Sequence, residues 1–514
     1  MIAGSCLLVK SSLVCGHMQI TIRKGDLTKE KADLLIVSEF QGFEQMGGGT
    51  GAVNKALGGL LLKIAKEEQF KAKLGHTLLL RSETFACKRV LLVGLGKREE
   101  FSLERVREAA AASYKAADAL HVKRVVSILH GAWEGGLNAK ECGRAVVEGL
   151  QLAAYKFEGF KKEKKKSQIV SFDFVSNEAR DVRSAQAGAE IAELAVEGTI
   201  LARNLVNTPS GHMQPAQLVE VAKAIVKASK GAVKIKIFYE AALKRMGAGG
   251  ILGISQGSDH PPVMVHLRYS PRGAKKHLSL VGKAITFDSG GLSIKPAEAM
   301  YTMKCDMAGA AAVLGVFSVI ARLKPNLIVD GIFGACENLP SGKAIRPGDV
   351  VKTLNGKTIE VLHTDAEGRV TLADTLAYAA RQKPQGIVDL ATLTGACVVA
   401  LGEEISGAMS NNPKLIGKVL EAAKVAGEKM WELPLEKAYK REIKSEVADY
   451  KNIAGRYGGA VTAGLLLEEF VDGTPWVHLD IAGPAFAERT INAYTDKGGT
   501  GAGVRTLIEL LRSY

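Results

Sequence analysis

Two carboxylates and a guanidinium stand at alternate positions in His363-Thr364-Asp365-Ala366-Glu367-Gly368-Arg369, just ahead of a run with helical character. In an extended segment Asp365, Glu367 and Arg369 share one face. Ionised carboxylates one pleat apart repel each other and one guanidinium offsets this only in part, so a multivalent cation held between them is the natural stabiliser. A second polar island follows the apolar run at 278–281, where Lys283, Asp288 and Lys295 are the ionisable groups. There Gly290-Gly291 permits positive φ and close approach of the backbone to whatever Asp288 holds. Asp306 heads a small-residue helical run that continues to about Leu323. Taken singly, these features fit a solvated acidic turn, a glycine turn after a strand and a helix-capping acid. Several such islands in a fixed order are far more specific than any one of them.

The same islands resemble the leucyl aminopeptidase (cytosol aminopeptidase) family of dinuclear metallo-exopeptidases. The resemblance rests on G-K-x-I-T-F-D-S-G-G-x-S-I-K-P at 282–296, K-x-D-M-x-G-A-A at 304–311 and T-D-A-E-G-R at 364–369, and it runs on through 390–396, 444–452 and 478–483. It implies that Lys283, Asp288, Asp306 and Glu367 hold one metal ion and that Asp288, Asp365 and Glu367 hold the other. Lys295 would then stabilise the gem-diolate formed when water attacks the first peptide bond, and Arg369 would anchor a bicarbonate ion acting as proton shuttle. Met303, Thr392, Gly395, Ala482 and Ala485 match positions lining the side-chain pocket of similar enzymes, an apolar lining suited to leucine-like residues. The family carries Asn where this chain has His363, which is therefore read as a hydrogen-bonding neighbour of the ligands and not as a ligand. The resemblance further implies peptide substrates, two divalent ions per subunit (Mn or Zn, with Mg or Co as alternatives), bicarbonate as cofactor and a homohexamer.

These side chains need a scaffold, and 514 residues with 47% hydrophobic and 24% charged are enough for two domains with a large core. Strand-like runs at 20–22, 33–37, 77–80, 90–93 and 172–175 alternate with helical stretches at 103–120 and 139–154, which reads as an α/β domain over 18–182. The glycine runs at 47–51 and 94–97 complete no phosphate-binding fingerprint and are read as loops. The alanine-rich helix at 185–204 is the candidate connector (183–204). Beyond it, 205–514 carries apolar strands at 233–239, 263–269, 278–286, 327–333, 386–390 and 476–481. Helices at 215–228, 308–323, 372–381 and 415–425 interleave with them. The expected fold class is α/β, with a smaller N-terminal domain, macro-domain-like by the resemblance, and a larger catalytic domain whose mainly parallel sheet is covered by helices. Ligands gather at the carboxyl ends of such strands.

Seven cysteines, Cys6, Cys15, Cys87, Cys142, Cys305, Cys336 and Cys397, are an odd number without C-x-x-C spacing, which argues for packed free thiols in a reducing compartment. Residues 1–17 lack the basic start, long apolar core and cleavage site of a secretory signal and are read as an extension or tail, so the expected location is cytoplasmic. No membrane span is expected. The net charge of +14 raises a second class of function, nucleic-acid binding on an aminopeptidase scaffold, although the lysine-rich stretch 161–166 has no aromatic interleaving and reads as a solvated loop. A two-metal phosphoesterase is the third reading, disfavoured by the motifs.

Overall fold

The computed structural model describes residues 18–83, 85–132 and 136–514; the expected tail, with Cys6 and Cys15, lies outside the described residues. The chain forms two compact units, and the division between them falls within the 29-residue helix Ala179–Asn207. Thr490–Asp496 belongs to the first unit as well.

The first unit is built on a six-stranded sheet of β1 (Gln19–Lys24), β2 (Leu34–Glu39), β3 (Thr77–Arg81), β4 (Arg89–Gly94), β5 (Arg124–Ile128) and β6 (Ser171–Ser176), in the order β1-β6-β5-β2-β4-β3. All pairs are parallel except β3 with β4. Leu34, Leu35, Ile36 and Val37 are all fully buried, as a strand covered on both faces requires. The glycine run expected as a loop instead opens the helix Gly48–Ala56. Tertiary contacts outweigh the poor helix propensity of glycine there: the Thr50 hydroxyl donates to the Ser38 carbonyl at 2.7 Å, and Val53 is buried. The lysine-rich stretch 161–166 is exposed and irregular.

The second unit holds an eight-stranded sheet of β7 (Val233–Tyr239), β8 (Val263–Tyr269), β9 (His277–Asp288), β10 (Ile328–Asn338), β13 (Gly386–Ala391), β14 (Ser406–Ser410), β15 (Met430–Glu432) and β17 (Trp476–Asp480). Its order is β15-β14-β17-β13-β9-β10-β8-β7. The central block β17-β13-β9-β10 is parallel, and β7 and β8 add an antiparallel edge. A small second sheet pairs β11 (Asp349–Lys352) antiparallel with β12 (Thr358–Val361), and β12 parallel with β16 (Tyr450–Lys451).

Helices cover both faces of the large sheet. On one, Val370, Ala373 and Leu376 of the helix Gly368–Arg381 pack with Val281, Ile285, Ile332 and Ile387. On the other lies the helix Ala308–Leu323. The stretch Ala297–Leu323 has the length and hydropathy of a membrane span, but 78% of its most apolar window is buried inside the unit, as a core helix would be. Its close approach to the sheet depends on Gly309, where a Cβ would stand 2.0 Å from the Leu390 carbonyl oxygen and 2.7 Å from the Lys283 nitrogen. Gly309→Ala should therefore push the helix off β9 and β13 and cost about 1–3 kcal/mol, read as a lower urea midpoint; an unchanged midpoint would show that the helix yields freely there.

Candidate active site

The parallel block delivers its polar residues to one end. Asp288 closes β9 and Asn338 closes β10, while Thr392 follows β13 and Asp480 ends β17. This is the carboxyl edge of the sheet, where open α/β sheets bind ligands. Lys283, five residues before the end of β9, lies under the start of the helix Gly368–Arg381, whose N-cap is Glu367. A Cβ at 368 would come within 2.6 Å of the Lys283 Cε, so a larger residue there would have to displace that side chain.

The five expected metal ligands and Lys295 converge directly. The Lys283 Nζ is 2.6 Å from Asp306 Oδ1 and 2.7 Å from Glu367 Oε1, and it also donates to the Thr392 carbonyl at 2.9 Å. The Lys295 Nζ lies 2.9 Å from Asp288 Oδ2 and 2.5 Å from Asp365 Oδ1. Oxygens of Asp288, Asp365 and Glu367 lie within 4.8 Å of one another. The carboxylates are held by neutral donors too: Asp288 Oδ1 accepts from the Gly290 N–H and the Asn338 amide, and Asp306 Oδ1 accepts from the Thr392 hydroxyl at 2.7 Å. A cleft of about 530 Å³ opens over them, lined also by Arg369, Met303, Thr392, Gly395 and Ala482. Ala485 does not line it; this residue is 1% exposed and its N–H donates to the Ile481 carbonyl.

Sequence reading missed what braces the loop of Asp365 and Glu367. Pairing of β12 with β16 sets Asn452 beside the segment 362–366. Fully buried, its side chain accepts from the N–H groups of Leu362 and His363 and donates to the carbonyls of His363 and Ala366. Asn452 does stand in the motif at 444–452, and that was its only signal. His363 takes part through its backbone, with its side chain exposed at the cleft. Thr364 ties the same loop to the glycine turn, donating to the Gly290 carbonyl and accepting from the Ser293 N–H.

Four carboxylates thus face two ammonium groups in a nearly dry site. Burial pushes the Asp306 carboxyl well above its usual range, with Glu367 and Asp288 adding to the effect against Lys283. Burial and Glu367 raise Asp288, and burial and Asp288 raise Asp365. Burial alone would lower Lys283 and Lys295, but the carboxylates around them outweigh it and raise both. Asp306 Oδ2 and Glu367 Oε2 are buried without a hydrogen-bond partner. Orphaned anionic oxygens beside uncompensated carboxylates are what a bound cation would satisfy, so the donor set fits divalent metal ions. An ion between Asp306 and Glu367 would replace the charge of the Lys283 ammonium and leave its amine as a nitrogen donor. Burial raises Cys305, beside Asp306, to about 12, which marks a packed and unreactive thiol.

Comparisons with known proteins show the family and the fold. The family model "Cytosol aminopeptidase family, catalytic domain" matches residues 200–508, and "Cytosol aminopeptidase family, N-terminal domain" matches 36–164. A probable cytosol aminopeptidase of Alkaliphilus oremlandii (strain OhILAs) is 41% identical over 504 residues, covering 96% of this chain and 99% of the relative. Among solved structures, a mutant of tomato leucine aminopeptidase superposes with TM-score 0.86 at 35% identity, covering 97% of both chains. The bottromycin maturation enzyme BotP in complex with Mn gives 0.83 at 35%, covering 94% of this chain and 99% of that one. Fold and site define a metal-dependent peptidase, a hydrolase. The chain belongs to the cytosol aminopeptidase family.

Because a ligand of the folded state raises stability by mass action, Mn²⁺ or Zn²⁺ should raise the melting temperature of chelator-stripped protein, while sodium chloride at matched ionic strength should not. Equal responses to both would mean that the carboxylates bind no ion specifically.

Proposed function

We propose that this protein removes the N-terminal residue of peptides, preferring leucine-like side chains, with two divalent ions held in the cleft. One ion would be held by Lys283, Asp288, Asp306 and Glu367, the other by Asp288, Asp365 and Glu367, as the resemblance implies. The observation that carries this reading is the convergence of these five side chains, from three separate stretches of chain, with two buried carboxylate oxygens left unpartnered. When bound, such a pair of ions lowers the pKa of a shared water and polarises the scissile carbonyl.

The remaining work falls to the protein. Lys295 acts on the negative charge that develops at the carbonyl oxygen, a role supported by an ammonium fixed between Asp288 and Asp365 at the cleft. Arg369 anchors a small oxyanion, bicarbonate, as the proton shuttle. Its Nη1 is spent on the Asn452 carbonyl, while its Nε is buried without a hydrogen-bond partner and so leaves a donor for such an ion. Met303, Thr392, Gly395 and Ala482 form the side-chain pocket, consistent with a preference for leucine-like residues. The protein works in the cytoplasm as a homohexamer, as in the family it resembles.

The test is to strip the protein with a chelator, assay it on a leucine-linked chromogenic amide and then restore Mn²⁺ or Zn²⁺. Cleavage should disappear and return; metal return without cleavage, together with DNA retained at moderate salt, would favour the nucleic-acid reading. Lys295→Ala should keep its metal and lose at least roughly a hundredfold in kcat, and loss of metal as well would make Lys295 structural. Glu367→Gln should weaken metal retention, and unchanged metal content would rule it out as a bridging ligand.

A further inference from the structure

Asp480 lies at the end of β17, fully buried, and belongs to none of the ligand sets above. All hydrogen bonds of its carboxylate go to two short segments at the cleft. Its Oδ2 accepts from the Thr394 hydroxyl at 2.7 Å, and its Oδ1 accepts from the N–H groups of Leu393 at 3.2 Å and Ala482 at 3.1 Å. The turn that starts at Thr392 is therefore clamped to the segment bearing Ala482 by one carboxylate. Both segments line the cleft.

The same turn reaches the other half of the site. The Thr392 carbonyl accepts from Lys283, and the Thr392 hydroxyl donates to Asp306. Thr394, held by Asp480, also accepts from the Cys397 N–H and caps the helix Gly395–Leu401, whose first residue Gly395 lines the cleft. Hydrogen bonds to a buried charged group are the stronger kind, and they fix the geometry of what they hold.

A second buried layer supports the clamp. His478, two residues earlier on β17 and so on the same face as Asp480, is paired with Asp389 of the adjacent strand, Nδ1 to Oδ1 at 2.6 Å. Asp389 Oδ2 accepts from the Trp476 indole at 2.6 Å, and the His478 Nε2 is fully enclosed with no hydrogen-bond partner. Burial opposes a charge on His478, yet Asp389 and then Asp480 hold its pKa above the ordinary value. Among the described residues no lysine or arginine is hydrogen-bonded to Asp480, and Arg369 acts on it through space.

We propose that Asp480 is a positioning residue that couples the side-chain pocket to the Lys283–Asp306 pair, by clamping the Thr392–Gly395 turn against Ala482. It touches neither ion nor substrate. The proposal rests on the aminopeptidase reading for what the pocket selects, but its effect on cation binding can be read without turnover.

The experiment compares wild type with Asp480→Asn, Thr394→Val and Thr394→Ser, all stripped and titrated with Mn²⁺ by calorimetry. Each is then assayed on leucine- and alanine-linked amides. Asp480→Asn and Thr394→Val should weaken Mn²⁺ binding and shrink the leucine-to-alanine ratio of kcat/KM together, each by about tenfold, the scale of one lost hydrogen bond to a charge. Thr394→Ser keeps the hydroxyl and should stay within about twofold of wild type, a rescue that general destabilisation would not give. If Asp480→Asn fails to fold, Thr394→Val reads the same clamp. Folded variants with unchanged Mn²⁺ isotherms and unchanged selectivity would overturn the proposal, and so would a Thr394→Ser variant as impaired as Thr394→Val. If wild type cleaves neither amide while binding Mn²⁺, the peptidase reading falls, and the isotherms still decide whether the clamp exists.

Discussion

Asp288, Asp306, Asp365 and Glu367 are brought within reach of one another in a place from which water is largely excluded, and only two ammonium groups answer them directly. Such an arrangement costs free energy unless its charge is compensated, because burial penalises every unpaired carboxylate and each carboxylate penalises the next. The rest of the second unit can be read as the means of enforcing it. The parallel block supplies a rigid edge, the helix Ala308–Leu323 presses on that edge from one face, and the helix Gly368–Arg381 sets Glu367 over Lys283 from the other. Raised proton affinities for Asp288, Asp306 and Asp365 and for the two lysines are two sides of this one imbalance.

A strand edge alone does not fix a loop, and the loop 362–367 needs its own brace. It comes from the small sheet, which reaches the site by a different route through the chain. Because β12 and β16 run parallel, their ends arrive together, and the buried amide of Asn452 spans the gap with donors on one side and an acceptor on the other. Asn338 does similar work from the large sheet, donating to both Asp288 and the Thr364 carbonyl. Two neutral amides thus carry much of the precision of an otherwise charged site, and they add nothing to its electrostatic imbalance.

The charged residues of the site were legible in the sequence because they sit in dense motifs, and the central strands because they are long apolar runs. Each long strand and helix expected from periodicity is present, with β9 and β10 extending further, to Asp288 and Asn338. What escaped lacked a local signature. The strand Ser406–Ser410 reads S-G-A-M-S and shows no alternation, β16 has two residues, and the helix Gly48–Ala56 begins with glycines that ordinarily break helices. The helix after Glu367 starts at Gly368, four residues earlier than its apolar pattern suggests, with glycine there packed against the neighbouring lysine. An asparagine has no pattern at all until its strand partner is known, and a small apolar residue such as Ala485 looks the same in a pocket wall as behind one.

The parallel topology has a further consequence for biosynthesis. Lys283, Asp288 and Asp306 leave the ribosome early, but Asp365, Glu367, Asn452 and finally Asp480 come from progressively later strands and loops of the same sheet system. A nascent chain of this unit therefore exposes an incomplete acidic half-site for much of its synthesis, without the segments that space its carboxylates or shield them from water. A cation that needs the complete set of carboxylates would in this sense find its site only late in synthesis.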